Sequence, residues 1–116
     1  MKRIFFFSLP LLAVLNLFAK EVYIDPGPNA QERLQEALIL IDEGDTLIIK
    51  SGYYKFEDGL SLDVDDVTVK GEGIDSTILD FKNQQSGAQG LLVTSDRVTL
   101  SDFSILDAKW DALKVI

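Results

Sequence analysis

The sequence predicts an all-β solenoid, the start of a β-helix with an N-terminal capping α-helix, and three observations predict it. The segment Gly59-Leu60-Ser61-Leu62-Asp63-Val64-Asp65-Asp66-Val67-Thr68-Val69 recurs as Gly90-Leu91-Leu92-Val93-Thr94-Ser95-Asp96-Arg97-Val98-Thr99-Leu100. A partial third copy begins at Ala112-Leu113-Lys114-Val115. The step from Gly59 to Gly90 is 31 residues and that from Leu91 to Leu113 is 22, so the first interval carries nine extra residues, assigned to the polar stretch Phe81 to Gln89. Leu47/Ile49 to Val67/Val69 gives a further step of 20 residues. Short strands repeating at this period are each too small to bury a face alone, so they must stack. A β-sandwich of hairpins also shows many short strands, but hairpins need no copying from one strand pair to the next.

Residues 1–19 read as a signal peptide. Lys2 and Arg3 precede an apolar run from Ile4 to Phe18, broken by Ser8, Pro10 and Asn16, and the run closes on Ala19. About 15 residues fall short of the roughly 20 that span hydrocarbon, which favours cleavage near Ala19 over a retained anchor. No stable membrane anchor is expected after cleavage. The chain has no cysteine, so neither disulfides nor a lipid-bearing cysteine enter, and stability rests on hydrophobic stacking.

Residues 20–44 read as a strand and the capping helix. Val22-Tyr23-Ile24 is stopped by Asp25-Pro26-Gly27-Pro28, which continues neither strand nor helix. Asn29 as N-cap with Glu32 three positions on makes a capping-box pattern. Leu34, Ala37, Leu38 and Ile41 form one apolar stripe of a helix over residues 30–43, widened by Ile39 and Leu40, with Gly44 placed to end it. Residues 45–116 read as the first coils of the solenoid. Expected strands are Thr46 to Lys50, Tyr53 to Phe56, Leu60 to Leu62, Val67 to Lys70, Thr77 to Leu79, Leu91 to Val93, Val98 to Leu100, Ser104 to Leu106 and Leu113 to Val115. Their apolar residues alternate, as when one side of each strand faces a shared core. Gly52, Asp58-Gly59, Asp65-Asp66, Gly71-Glu72-Gly73 and Asp96 punctuate the corners, where tight or left-handed bends are needed. The last expected strand reaches Ile116 with no cap after it, which predicts the N-terminal piece of a longer, monomeric protein truncated at its C-terminus.

The full chain carries 11 Lys+Arg against 19 Asp+Glu. Without residues 1–19, which hold only the basic Lys2 and Arg3, the net charge becomes −10. Nucleic acid is an unfavourable partner for so acidic a surface.

The residues from Gly44-Asp45-Thr46 through Gly59 to Gly73, and on through Gly90-Leu91-Leu92-Val93-Thr94-Ser95, resemble the opening of exported bacterial parallel β-helix proteins with the pectin-lyase-like fold. The resemblance covers most of residues 21–116. It implies a right-handed, single-stranded helix of short parallel sheets with a helix over its first coil. It implies export to the periplasm or beyond, and an acidic polysaccharide as partner. Carbohydrate chemistry of the lyase, hydrolase or epimerase type follows, with a non-catalytic binding or adhesion module, or a NosD-like periplasmic maturation factor, as the alternative. Calcium is the cofactor such a full-length protein would hold, and no cofactor is identified in this stretch. Active sites of the family lie in middle coils, so no catalytic residue is assigned here. The scaffold does not name the function.

The residues themselves offer few sites. Asp63, Asp65 and Asp66 are the densest carboxylates and the metal candidates, since a hard cation wants several oxygens, but solvated acids at a corner are the simpler reading. Trp110, flanked by Asp107, Lys109 and Asp111, is the candidate for stacking on a sugar ring, with Tyr53 and Tyr54 behind it. Lys70 and Arg97 read as equivalent corner cations without a defined acidic partner. Asn83 to Gln89 reads as a solvent-exposed loop, or as the wall of a groove.

Overall fold

The computed structural model describes residues 19–116, so the signal peptide expected over residues 1–19 lies, apart from Ala19, outside the described residues. The described part has one helix, α1 (Ala30–Leu40), and ten short strands: β1 (Glu21–Ile24), β2 (Thr46–Ile49), β3 (Gly52–Lys55), β4 (Asp58–Leu62), β5 (Thr68–Lys70), β6 (Thr77–Asp80), β7 (Ser86–Val93), β8 (Thr99–Ser101), β9 (Ser104–Leu106) and β10 (Leu113–Val115). The strands form three sheets in the orders β1-β2-β5-β8, β3-β6-β9 and β4-β7-β10. Every pairing is parallel. From β2 onward the chain visits the first, second and third sheet in the same order until it ends in β10. From β2 onward consecutive strands therefore do not pair with one another as they would in a hairpin sandwich, and the consecutive β1 and β2 pair in parallel across α1.

The repeat sets the registers. Leu60 and Leu62 align with Leu91 and Val93, and Leu113 and Val115 align with the same pair. In the first sheet Leu47 aligns with Val69 and Val69 with Leu100. That step is 22 residues, not the 20 expected from setting Leu47 against Val67, because Asp45 holds the place level with Val67. The nine extra residues also divide differently. Thr46 to Tyr53 takes seven residues where the aligned Thr68 to Ile78 takes ten, and Tyr53 to Leu60 takes seven where Ile78 to Leu91 takes thirteen. Three of the nine thus belong to the corner after β5.

Inward rows of Leu47, Val69, Tyr54, Leu79, Leu62 and Val93 make the core, each no more than 2% exposed. Burying one such side chain contributes about 1.5–3 kcal/mol. Tyr54, Phe56 and Phe81 stack through it, with ring centroids 6.4 and 4.9 Å apart. Gly71 and Gly90 are required by close approach. A Cβ on Gly71 would lie 2.3 Å from the Asp102 carbonyl oxygen, and one on Gly90 2.6 Å from that of Ala112. Left-handed corners lead into the first sheet at Gly44, Asp66 and Arg97, just before β2, β5 and β8, and recur at Asp102 and Asp107 after β8 and β9.

The helix covers the first strand layer, touching β1, β3 and β4, with Ala30, Leu34 and Leu38 buried. Its ends differ from expectation. Asn29 is left-handed and makes no side-chain cap hydrogen bond, whereas an N-cap side chain works from the extended region. The helix stops at Leu40, three residues early, because Ile41 turns extended and sinks into the core at 5% exposure. Ile39 and Leu40 point away at 65% and 66% exposure, so they do not widen the buried stripe. Two glutamines at i and i+4 serve the strand beneath. Gln31 accepts from Glu57 N (2.8 Å) and donates to Asp58 O (2.9 Å), while Gln35 accepts from Ser61 N (3.0 Å) and donates to Ser61 O (3.1 Å). The edge of β4 is thereby closed by side chains rather than left as a template for pairing.

Candidate functional site

Strand alternation decides what the second sheet shows to the outside. With Tyr54 and Leu79 turned inward, Tyr53 and Ile78 share one outward row, and Lys55 and Asp80 share the next. Tyr53 is 51% exposed, yet its hydroxyl donates to Asp80 Oδ2 on the neighbouring strand. Asp80 Oδ1 accepts Lys82 N at 2.8 Å. Roofed in this way, Asp80 is only 7% exposed although it faces outward. The Tyr53 hydrogen bond holds its carboxyl below the ordinary range against the opposing effect of burial, with Lys82 N, Lys82 and Lys55 adding to it. The same bond, burial and the charges of Asp80 and Asp107 push the Tyr53 hydroxyl up.

Beside this pair, a groove of about 470 Å³ runs between the start of α1, β3 and the turn into β4, lined by Asn29, Gln31, Tyr53, Lys55, Asp58 and Asn83 among others. The segments that follow β3, β6 and β9 all lead from the second sheet to the third. Trp110, 77% exposed, therefore lies on the same edge of the stack as Asn83 and the groove, with its backbone N–H donating to Ala88 O at 3.2 Å. Tyr54 has a different fate from its neighbour: it is 1% exposed, donates to Lys50 O (2.7 Å) and Ile24 O (3.2 Å), and burial pushes its hydroxyl up to about 12.

The insertion is not the free loop expected. Phe81 is fully buried, Gln84 is 2% exposed, and Gln84 Nε2 reaches the carbonyls of Ser86 (3.0 Å), Gly87 (3.1 Å) and Gln89 (2.9 Å). One side chain thus shapes the segment, and β7 begins within it at Ser86, opposite an irregularity between Asp58 and Leu60.

The three metal candidates do not converge. Asp63 Oδ1 accepts Thr94 Oγ1 (2.8 Å), Asp65 Oδ1 accepts Asp96 N (2.8 Å), and Asp66 binds Arg97 through Nε (2.7 Å) and Nη2 (3.1 Å). Each carboxylate thus binds its counterpart in the next repeat, 31 residues on. Among the described residues no group of three His, Cys, Asp or Glu is placed to hold a metal ion. Arg97 therefore does have a defined acidic partner, contrary to expectation, and that contact raises its pKa while lowering that of Asp66. Lys70 is not its equivalent: it lies in β5, level with Ile48 and Ser101.

Asp80 and Lys55 were not singled out from the sequence, whereas Asn83 was named as the start of a loop or groove wall and does line the groove. The signal for Asp80 was present in Thr77-Ile78-Leu79-Asp80, where alternation alone sends Ile78 and Asp80 to the same side. No family model, curated protein or solved structure matches the chain. No helix among the described residues is long and apolar enough to cross a membrane.

Tyr53→Phe tests the roof over Asp80. With the hydroxyl gone, burial still opposes the charged carboxylate, so Asp80 is expected to titrate at higher pH. A carboxyl depressed by folding contributes stability that is present above its unfolded value, 3.8, and lost as pH falls through the folded value. Acid unfolding of Tyr53→Phe should therefore set in at higher pH than in the parent, and carboxyl chemical shifts followed by NMR report the Asp80 titration directly. An unchanged Asp80 titration would show that the hydroxyl does not hold it.

Proposed function

We propose that this chain is the N-terminal part of an exported, right-handed parallel β-helix protein that binds polysaccharide along the edge between its second and third sheets. The repeated visiting order of three all-parallel sheets and the helix over their first layer support the fold. The observation that carries the function is the Tyr53–Asp80 pair beside a groove lined by the amides of Asn29, Gln31 and Asn83, by Lys55 and by the carboxylates of Glu32, Glu57 and Asp58. An aromatic ring held by its own hydroxyl keeps a face for the C–H surface of a sugar. Lys55 supplies a cation for a uronate carboxylate, and the Asn29 and Asn83 amides border the groove with groups suited to sugar hydroxyls. Trp110 extends the same edge by two strand spacings, roughly 10 Å.

Binding is favoured over catalysis for these residues by the state of Asp80. A carboxylate held low by two donors is a weak base, and proton abstraction at neutral pH needs one raised toward the working pH. Lyase, hydrolase or epimerase chemistry is therefore not assigned to these residues.

Titration calorimetry with oligogalacturonate, oligoalginate and a neutral oligosaccharide tests the reading. At least one uronate oligomer is expected to bind, and Tyr53→Ala to weaken it about tenfold, the value of one aromatic contact. Failure of all three sugars to bind, or undiminished binding by Tyr53→Ala, would overturn it.

A further inference from the structure

Asp45 is a carboxylate in a place where the repeat otherwise sets valine. The register Thr46↔Thr68↔Thr99 brings Asp45 level with Val67 and Val98, of which Val67 is in the core and Val98 packs against it. Asp45 is 1% exposed. Its carboxylate receives three donors: Lys20 N on Oδ1 at 3.0 Å, Lys20 Nζ on Oδ2 at 2.7 Å and Asp42 N on Oδ2 at 3.1 Å. Lys20 supplies two of the three, and its carbonyl also accepts Thr46 N at 3.0 Å just before β1 begins. The bonds that tie the N-terminal strand to β2 thus begin at Lys20, while Ala19 is exposed.

We propose that the buried Asp45 carboxylate is a socket for a free α-ammonium group on Lys20, made by cleavage of the Ala19–Lys20 peptide bond. The inference rests on the reading of residues 1–19 as an export signal. The step is a hydrolysis by a leader-removing endopeptidase: water adds to the Ala19 carbonyl carbon, the C–N bond breaks, Ala19 leaves with a new carboxylate, and the Lys20 nitrogen takes a proton. An α-amine with an ordinary pKa near 8 is then largely charged at neutral pH. Before the cut, that nitrogen offers one neutral N–H to Oδ1. Afterwards it offers three hydrogens and a positive charge at the same place. A hydrogen bond charged only at its acceptor becomes an ion pair charged at both ends, at a carboxylate withdrawn from water, where an ionic partner counts most. Lys20 Nζ keeps Oδ2 while also binding Asp42 Oδ2 at 3.0 Å, so each Asp45 oxygen has a cationic partner, the second one shared with Asp42. Cleavage at this bond therefore completes the attachment of β1 to β2.

Two measurements test it. The intact mass of the chain recovered from the cell envelope or medium is expected to place Lys20 first. Chains beginning at Lys20 and at Ala19, each released from an N-terminal fusion without residual residues, are then compared by thermal unfolding. The Lys20 form should melt about 4 °C or more above the Ala19 form, the smallest shift that the gained ion pair would give in a domain of this size. In Asp45→Asn the difference should vanish. If that variant does not fold, the comparison within the parent sequence decides alone. Equal melting of the two parent forms, or an exported chain cut at another bond, would overturn the socket and leave the export reading standing. A chain recovered with residues 1–19 intact would overturn both.

Discussion

Phe81→Ala is expected to destabilise the protein by about 3–5 kcal/mol, the range for truncating a fully buried phenylalanine. The Phe81 ring is 0% exposed and lies 4.9 Å from that of Phe56, which in turn stacks on Tyr54, so the three rings fill the interior across two strand layers. Its backbone is fixed from both sides. Phe81 N donates to Leu106 O at 2.9 Å, and Phe81 O accepts Gln84 N at 3.0 Å, which starts the turn from which Gln84 reaches its three carbonyls. Removing the ring leaves a void that the neighbouring layers cannot close without giving up their strand pairing. Urea unfolding measures the cost, and the exposed Lys82→Ala serves as control, expected within about 0.5 kcal/mol of the parent. A Phe81→Ala cost below about 1 kcal/mol would mean that the aromatic stack does not hold the layers together.

Phe81 also marks where sequence reading reached its limit. The copies at Gly59 and Gly90 predicted the third-sheet register residue for residue, because strands of one sheet that stack in register repeat their alternation and their corner residues together. The first-sheet register was two residues out at Leu47, because a buried carboxylate at Asp45 interrupts the apolar pattern that alignment relies on. Phe81 was counted with a polar stretch because most of its neighbours from Lys82 to Gln89 are polar, yet the chain turns there and takes that ring, and Gln84 after it, out of water. The Gln31 and Gln35 bonds to β4 were out of reach for another reason. A polar side chain at a helix flank reads as solvated until the strand edge beneath it is known to lack a partner. The pairing of Asp66 with Arg97 is of the same kind, since it joins residues 31 apart that only the stack makes neighbours. As for the site, Trp110 and Tyr53 were legible as exposed aromatics, but Asp80 and the groove exist only once β3 and β6 lie side by side.

Leu38→Ala is expected to cost about 2–5 kcal/mol if α1 closes the stack. Leu38 is 2% exposed and one turn beyond Leu34, at 1%, and the helix rests on β1, β3 and β4, one strand from each sheet. A truncation at this point therefore opens a void against the first layer of all three sheets, not a local gap in one. Leu40→Ala is the matched control, because Leu40 carries the same side chain two residues on but is 66% exposed, and a surface change of that kind should stay within about 0.5 kcal/mol. The difference between the two variants separates burial from helix propensity, which both change alike. Loosening the helix has a second effect that the control should lack. Gln31 and Gln35 would lose their hold on Glu57, Asp58 and Ser61, and the bared edge of β4 would present free N–H and C=O groups to other chains. Light scattering at increasing concentration should then show more association for Leu38→Ala than for Leu40→Ala. A Leu38→Ala cost below about 0.5 kcal/mol would show that the helix lies against the sheets without closing them.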